Sequence, residues 1–312
     1  LNDISELIAK LRRRRAKTVA LQFPEGLKRR SANVSSSLRD AGFDVIVSGD
    51  PCYGACDLAL DTLEYADVLV HFGHAPVEDR PDVICEPWKV DFDVTVLEKV
   101  LPALKTKQVG LVTTVQHVHL ISAMEQYLVG RGIDVHIAEG SGRTPLRGQV
   151  LGCSFEAAKL PSAEEILFVG TGLFHPIGIS LATKKRVIAL DPLTGTVQEV
   201  SGDALLRRRF AVMEKARGAK TAGIIVSGKT GQQRMELARR LTSLSPHAVI
   251  ITMCEVSPDE LLNLGFGCYV NTACPRLAYD DQVRFPVPVL SPQEFEIICG
   301  VRSWDDYTID EI

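Results

Sequence analysis

No apolar run in this 312-residue chain approaches the roughly 18 residues that a bilayer-spanning helix needs, so no membrane segment is expected. An excess of positive charge is also missing. Lys and Arg total 35 against 39 Asp and Glu, a net charge of −4, which leaves no general footprint for nucleic acid or an anionic membrane. The start, Leu1-Asn-Asp-Ile-Ser-Glu-Leu7, lacks the shape of a secretory signal, and the missing Met suggests a trimmed N-terminus. A cytoplasmic location follows as the expectation. There is no Cys-x-x-Cys pair, the usual way a zinc module brings its ligands together. Eight cysteines in a chain of this length do not form a disulfide scaffold; scattered in this way they point to metal binding, catalysis or core packing.

What is present is one pattern read three times. A first strand appears at residues 18–23, 108–113 and 221–226, each followed by an amphipathic stretch. In the third, Met235, Ala238, Leu241 and Leu244 keep helical spacing; in the first, Leu27, Val34, Leu38 and Ala41 share a face and Gly42 supplies the stop. Second strands are expected at 44–47, 134–137 and 247–251, third strands at 68–72, 166–169 and 268–270, and short fourth strands at 83–84, 187–190 and 287–290. Strands alternating with helices argue for parallel α/β layers. The expected fold is therefore α/β, with three similar parallel-sheet domains over residues 1–107, 108–220 and 221–312, converging on a central site. Leu101 to Lys107 is expected to close the first unit and Leu205 to Lys220 the second.

Each third of the chain carries one cysteine beyond a strand's C-terminal end: Cys56, Cys153 and Cys274. That edge of an open parallel sheet is where ligands bind. Three distant cysteines suit an iron–sulfur cluster with one iron left open to polarise a substrate. Cys52-x-x-x-Cys56 would continue as a radical-SAM motif with a cysteine at position 59, but that residue is Ala59, so the motif fails. Cys85, Cys268 and Cys299 read as buried small hydrophobes.

Further candidates lie at the same edge. His74 and His175 occupy third-strand ends where the third repeat has Cys274, and are expected to line the pocket or move protons, with a hydrogen-bonded turn histidine as the alternative. Gln116, His117 and His119 follow the first strand of the second repeat. Thr171-Gly172 and Phe23-Pro-Glu-Gly26 read as tight turns at the same edge, where glycine allows close backbone approach, and Gly73, Gln116 and Gly172 are candidates for contact with a cosubstrate. Gly223-x-x-x-x-Gly228-Lys229-Thr230 formally meets the P-loop pattern, but residues 224–227 read as the strand itself, so a nucleotide-triphosphate site is rejected. Ser227, Gly228 and Lys229 instead open a helix, a place for a carboxylate, with a solvated turn as the alternative. The basic runs Arg12–Arg15 and Arg207–Arg209 read as charges at helix ends or in solvent, with protein docking as the minority reading. Asp280 and Asp281 read as a solvated turn, with a general-base role as the alternative.

Taken together, Tyr53-Gly-Ala-Cys-Asp57, Leu151-Gly-Cys153 and Ala273-Cys-Pro-Arg276, with Phe23-Pro-Glu-Gly26 near the start, resemble the archaeal 2-(3-amino-3-carboxypropyl)histidine synthase family of diphthamide biosynthesis. The resemblance covers nearly the whole chain. It implies a homodimer of three-domain subunits, each with a [4Fe–4S] cluster on Cys56, Cys153 and Cys274. It also implies radical cleavage of S-adenosylmethionine, release of 5′-methylthioadenosine, and transfer of the 3-amino-3-carboxypropyl group to C2 of a histidine imidazole in translation elongation factor 2. An electron donor is a further implied partner. The rival enzyme reading is a quinolinate-synthase-like lyase, which also combines three α/β domains with a three-cysteine cluster. An accessory electron-transfer subunit is the non-enzymatic alternative, and the complete cysteine set argues against it.

Overall fold

The computed structural model describes residues 4–312; residues 1–3, where the start read above begins, lie outside it. The chain divides into two compact units, one ending at Val90 and the other spanning Asp91–Ile312.

The first unit holds a parallel sheet of β1 (Thr18–Gln22), β2 (Asp44–Val47), β3 (Val68–Gly73) and β4 (Val83–Pro87), in the order β2-β1-β3-β4. β1 and β3 are apolar along almost their whole length because both faces are covered, the usual state of a parallel sheet. The helix Ser31–Asp40 turns Val34 and Leu38 inward, and the helix Ser5–Arg13 does the same with Leu7 and Leu11. These four join Val19, Leu21, Phe23, Val68, Val70 and Phe72 in one core.

The second unit contains two further sheets. One runs β6-β5-β7-β8-β9, built from β5 (Gln108–Thr113), β6 (Asp134–His136), β7 (Glu165–Val169), β8 (Arg186–Asp191) and β9 (Thr196–Val200). The other runs β11-β10-β12-β13, built from β10 (Ala222–Ser227), β11 (Ala248–Met253), β12 (Cys268–Asn271) and β13 (Val289–Leu290). In every sheet the first strand in sequence sits between the second and the third, with the fourth outside the third. The α/β class with three parallel-dominated sheets is thus the observed one.

Two features depart from the sequence reading. β9 pairs antiparallel with β8 and was not expected. It follows a tight turn in which Asp191 Oδ1 accepts from Leu193 and Thr194 N–H and Gly195 takes a φ of 69°. Its alternating, mostly exposed residues suit an edge strand. Secondly, the segment before β5 is a 3-10 helix over Val94–Ala103, earlier than the expected 101–107. Leu97 and Val100 pack with Val109, Leu111, Leu167 and Leu190, so this helix covers the second sheet rather than closing the first. Their i, i+3 spacing is the period of a 3-10 helix.

The helix Asp203–Ala216 places Leu205 in the core of the second sheet and Met213 and Ala216 in that of the third. The expectation for Arg207–Arg209 fails at one residue. Arg209 is 1% exposed and forms a two-pronged ion pair with Glu294, at 2.7 and 2.5 Å, while donating to the carbonyls of Ala278 and Val289. Its period along the helix places it on the inner face with Leu205 and Met213, which charge composition alone does not reveal.

Candidate active site

In the first unit the loop after β2 carries Cys56, partly exposed, between buried Ala55 and Asp57. Buried Gln22, the last residue of β1, holds this loop. Its Nε2 donates to the Asp57 carbonyl at 2.7 Å, and its Oε1 accepts from Ala59 N–H at 3.2 Å. That fixes the amide's orientation, and the rest of the network follows. Gln22 Oε1 also lies 2.9 Å from His71 Nδ1, so Nδ1 carries the proton. His71 Nε2 must then accept from His74 Nδ1, 3.0 Å away, which leaves Nε2 of His74 with the lone pair. Burial, helped by His74, pushes the His71 pKa down to about 3, and burial also lowers His74, so both rings are neutral at pH 7.

In the second unit the chain returns from β6 to the end of β5, where Val150 N–H donates to the Thr113 carbonyl at 2.9 Å. A tight turn between Leu151 and Ser154 follows and carries Cys153. The guanidinium of Arg143 reaches within 4.0 Å of Cys153 Sγ, and its buried Nε has no partner among the described residues. Cys274 lies just past β12, on a loop shaped by buried Asn271. The Asn271 side chain accepts from Ala273 N–H at 3.0 Å and donates to the Cys274 carbonyl at 2.7 Å.

The ring of Phe174 brings these two loops to one place. A Cβ on Gly152 would lie 2.5 Å from Phe174 Cε1, and the Arg276 guanidinium stands 4.9 Å from the centre of the same ring. Gly152 precedes Cys153 and Arg276 follows Cys274 by two residues. Gly152→Ala is therefore expected to displace the Cys153 turn and to cost roughly 1–3 kcal/mol of stability. A Gly152→Ala protein with the parent's unfolding midpoint and the parent's Cys153 alkylation rate would refute this packing role.

His175, beside Phe174, stacks on Phe168 with ring centres 5.8 Å apart. Burial and, secondarily, Arg276 lower its pKa to about 4. The consequence for stability has a definite sign. Below the unfolded value of about 6.5 the unfolded chain binds a proton that the folded site refuses, so stability falls as pH drops towards 4 for His175 and 3 for His71. Each histidine contributes up to about 1.4 kcal/mol per pH unit. Urea unfolding between pH 7 and 5 is expected to show this slope and His175→Leu to flatten it; equal slopes in the two proteins would rule out the cause.

The remaining candidates are distributed as follows. Gln116 is half-buried after β5, and His117 is buried edge-on to Phe92. His119 Nε2 lies 2.8 Å from an oxygen of exposed Asp91. Gly73 ends β3 at a φ of 98°, where a Cβ would meet Pro24 at 2.9 Å; Gly172 occupies an exposed turn before the helix Phe174–Thr183. Ser227 ends β10, Gly228 follows it, and Lys229 pairs with Glu255 at 2.6 Å. The expected helix does not open there: a 3-10 turn over Thr230–Gln232 intervenes and the helix begins at Met235. Residues 224–227 are indeed strand, and Gly223 packs against Ile251 and Tyr269, which accounts for the chance P-loop spacing. Asp280 and Asp281 pair with Arg276 and Arg284.

Cys268 is buried in the third core, and burial pushes its thiol up to about 11; Cys85 is raised similarly, and Cys299 is also raised. These are inert thiols. Among the described residues, no three His, Cys, Asp or Glu side chains gather closely enough to hold a single metal ion. An iron–sulfur cluster distributes its thiolates over separate irons.

Sequence reasoning missed Gln22, His71, Arg143 and Phe174. Only Gly152 beside Cys153 hinted at a close packing partner.

Residues 23–309 match the protein family described as "Putative diphthamide synthesis protein". The chain is 36% identical to 2-(3-amino-3-carboxypropyl)histidine synthase of Pyrococcus horikoshii, over 99% of this chain and 92% of that protein. It is 29% identical to subunit 1 of the synthase of that name from Schizosaccharomyces pombe, over 99% of this chain and 76% of the relative. A crystal structure of Dph2 from Pyrococcus horikoshii with a 4Fe-4S cluster superposes with a TM-score of 0.93 at 36% identity, covering 99% of this chain and 93% of that one.

Proposed function

Since this chain belongs to the diphthamide synthesis family, we propose that it transfers the 3-amino-3-carboxypropyl group of S-adenosylmethionine to C2 of a histidine imidazole in translation elongation factor 2, releasing 5′-methylthioadenosine. The observation that carries this reading is the contrast among the cysteines. Cys56, Cys153 and Cys274 are partly exposed on loops, one after a strand of each of the three sheets, while Cys268 is buried in a core and Cys85, also partly exposed, lies within β4; Cys254, exposed after β11, belongs to the same sheet as Cys274.

We assign a [4Fe–4S] cluster to Cys56, Cys153 and Cys274. Glycine lies close to two of them: a Cβ on Gly54, two residues before Cys56, would stand 3.4 Å from Cys56 Sγ, and Gly152 lets the Cys153 turn approach Phe174. Arg143 places a guanidinium donor 4.0 Å from Cys153 Sγ. When bound, such a cluster supplies one electron at low potential and an open iron for the sulfonium end of the cosubstrate.

The protein's own task is positioning: one of three carbon–sulfur bonds must be presented, and water excluded. Asn271 holds the Cys274 backbone and Gln22 that of Asp57, so neither loop is free to drift. His74, with its lone pair on Nε2, and His175, neutral at pH 7, are assigned to take up the proton that leaves C2 of the acceptor imidazole. Gly73, Gln116, Gly172 and the Ser227–Lys229 turn are assigned to the cosubstrate, although the Lys229–Glu255 pair must open for Lys229 to meet its carboxylate. A homodimer, an external electron donor and a cytoplasmic location belong to the same reading.

The test is transfer of label. Carboxyl-labelled S-adenosylmethionine, reduced enzyme and elongation factor 2 should place label on one histidine of the factor. Label that stays in small molecules, or that persists when the acceptor histidine is replaced, would reject the assignment.

A further inference from the structure

We propose that residues 310–312, locked in place by Arg234, are positioning residues that fix the Cys153 loop against the Cys274 loop. The functional weight of this inference rests on both cysteines being cluster ligands.

Asp310 is 1% exposed. Arg234 grips it with both prongs, at 3.0 and 2.5 Å. The same guanidinium donates to the carbonyls of Thr272 at 2.7 Å and Ala273 at 3.3 Å, the two residues before Cys274, and to the carbonyl of Glu311 at 3.3 Å. Asp310 is held on further sides. It accepts from Gln293 Nε2 at 3.1 Å, and its own N–H donates to the Tyr279 hydroxyl at 2.8 Å.

The next two residues reach the other loop. Glu311 accepts from Phe155 N–H at 2.8 Å and pairs with Lys159 at 2.9 Å. Ile312 N–H donates to the carbonyl of Cys153 itself at 2.8 Å. Three consecutive residues therefore bridge the backbones of both cysteine loops, and one guanidinium anchors them.

Lysine cannot copy this. Its ammonium is a point charge with three donors, whereas the planar guanidinium directs five donors, here to a carboxylate and three carbonyls. A buried ion pair is a weak stabiliser compared with apolar packing. Its presence where it spans two cysteine loops points to geometry rather than stability. Outer partners of this kind typically change metal affinity by about 10–100-fold.

Two measurements separate this inference from the cluster assignment. The first is hydrogen–deuterium exchange on the cluster-free protein. Arg234→Lys is expected to speed exchange at the Phe155 and Ile312 amides by about tenfold or more, about 1.4 kcal/mol, leaving β7 unchanged. The second is electron paramagnetic resonance of the reconstituted, reduced protein. Glu311→Ala should shift the cluster signal and speed its conversion in air to a three-iron form, while Glu311→Gln, which can still accept from Phe155, should behave as the parent. Unchanged exchange at Phe155, or a Glu311→Ala spectrum and air stability identical to the parent, would overturn the proposal. If the parent took up no cluster but the exchange effect appeared, the bridging role would stand and the cluster assignment would fall.

Discussion

Alanine at Cys56, Cys153 or Cys274 is expected to abolish both cluster retention and product formation, a loss well beyond the roughly 10–100-fold of outer-shell substitutions. Each thiolate would hold a different iron, so no neighbour can substitute for it. Alanine at Cys268 or Cys299 provides the control. Their raised thiol pKa values and packing against the third core assign them a role in packing, and their variants should keep iron content and activity near the parent's. Iron and sulfide analysis with the visible spectrum reads the first property, and methylthioadenosine formation the second. A Cys153→Ala protein with full iron content and undiminished activity would remove that residue from the site. The same result at Cys56 or Cys274 would do so there.

Arg209→Met is expected to destabilise the second unit by about 3–5 kcal/mol, the usual cost of leaving one member of a buried ion pair alone. Glu294 is fully buried, and without Arg209 it keeps, among the described residues, the Ser291 N–H and the Tyr307 hydroxyl as donors. The carbonyls of Ala278 and Val289 lose a donor as well. The pair links the helix Asp203–Ala216 to β13 and to the helix Pro292–Ile298, so damage should spread through the third sheet. Trp304, packed against Phe210 and Tyr307, is a local probe once Trp88 is replaced by phenylalanine. Replacing both partners with apolar residues should cost less than replacing Arg209 alone, because no charge is then stranded. An Arg209→Met unfolding free energy within about 1 kcal/mol of the parent's, below the usual cost of a broken buried pair, would show that the pair is dispensable.

Most strands were legible because their signal is local. The apolar runs at Gln108–Thr113 and Val68–Gly73 needed no partner to be recognised, and Gly42 marks the helix stop before β2. Of the three cysteines expected at strand ends, Cys274 lies just past β12, whereas Cys56 and Cys153 lie well inside the loops that follow β2 and β6. What could not be read depends on contacts distant in sequence. Arg234 meets Asp310 across 76 residues, and Arg209 meets Glu294 across 85. Charge composition separates neither arginine from those that stay in solvent, although Arg209 shares the helical period of Leu205 and Met213. Gln22 is likewise an ordinary strand residue until its amide is seen between the Cys56 loop and His71. The hairpin of β8 and β9 was missed because the three-strand-plus-one repeat leaves no place for a fifth strand.

The central claim is that this chain breaks the bond between sulfur and the aminocarboxypropyl carbon. The most direct measurement is the small-molecule product after anaerobic purification, reduction with dithionite and addition of S-adenosylmethionine. The expected product is 5′-methylthioadenosine, lost in each of the three cysteine variants. 5′-Deoxyadenosine would mean that a different carbon–sulfur bond is cleaved, and no cleavage by a protein with an intact cluster would contradict the transferase reading altogether.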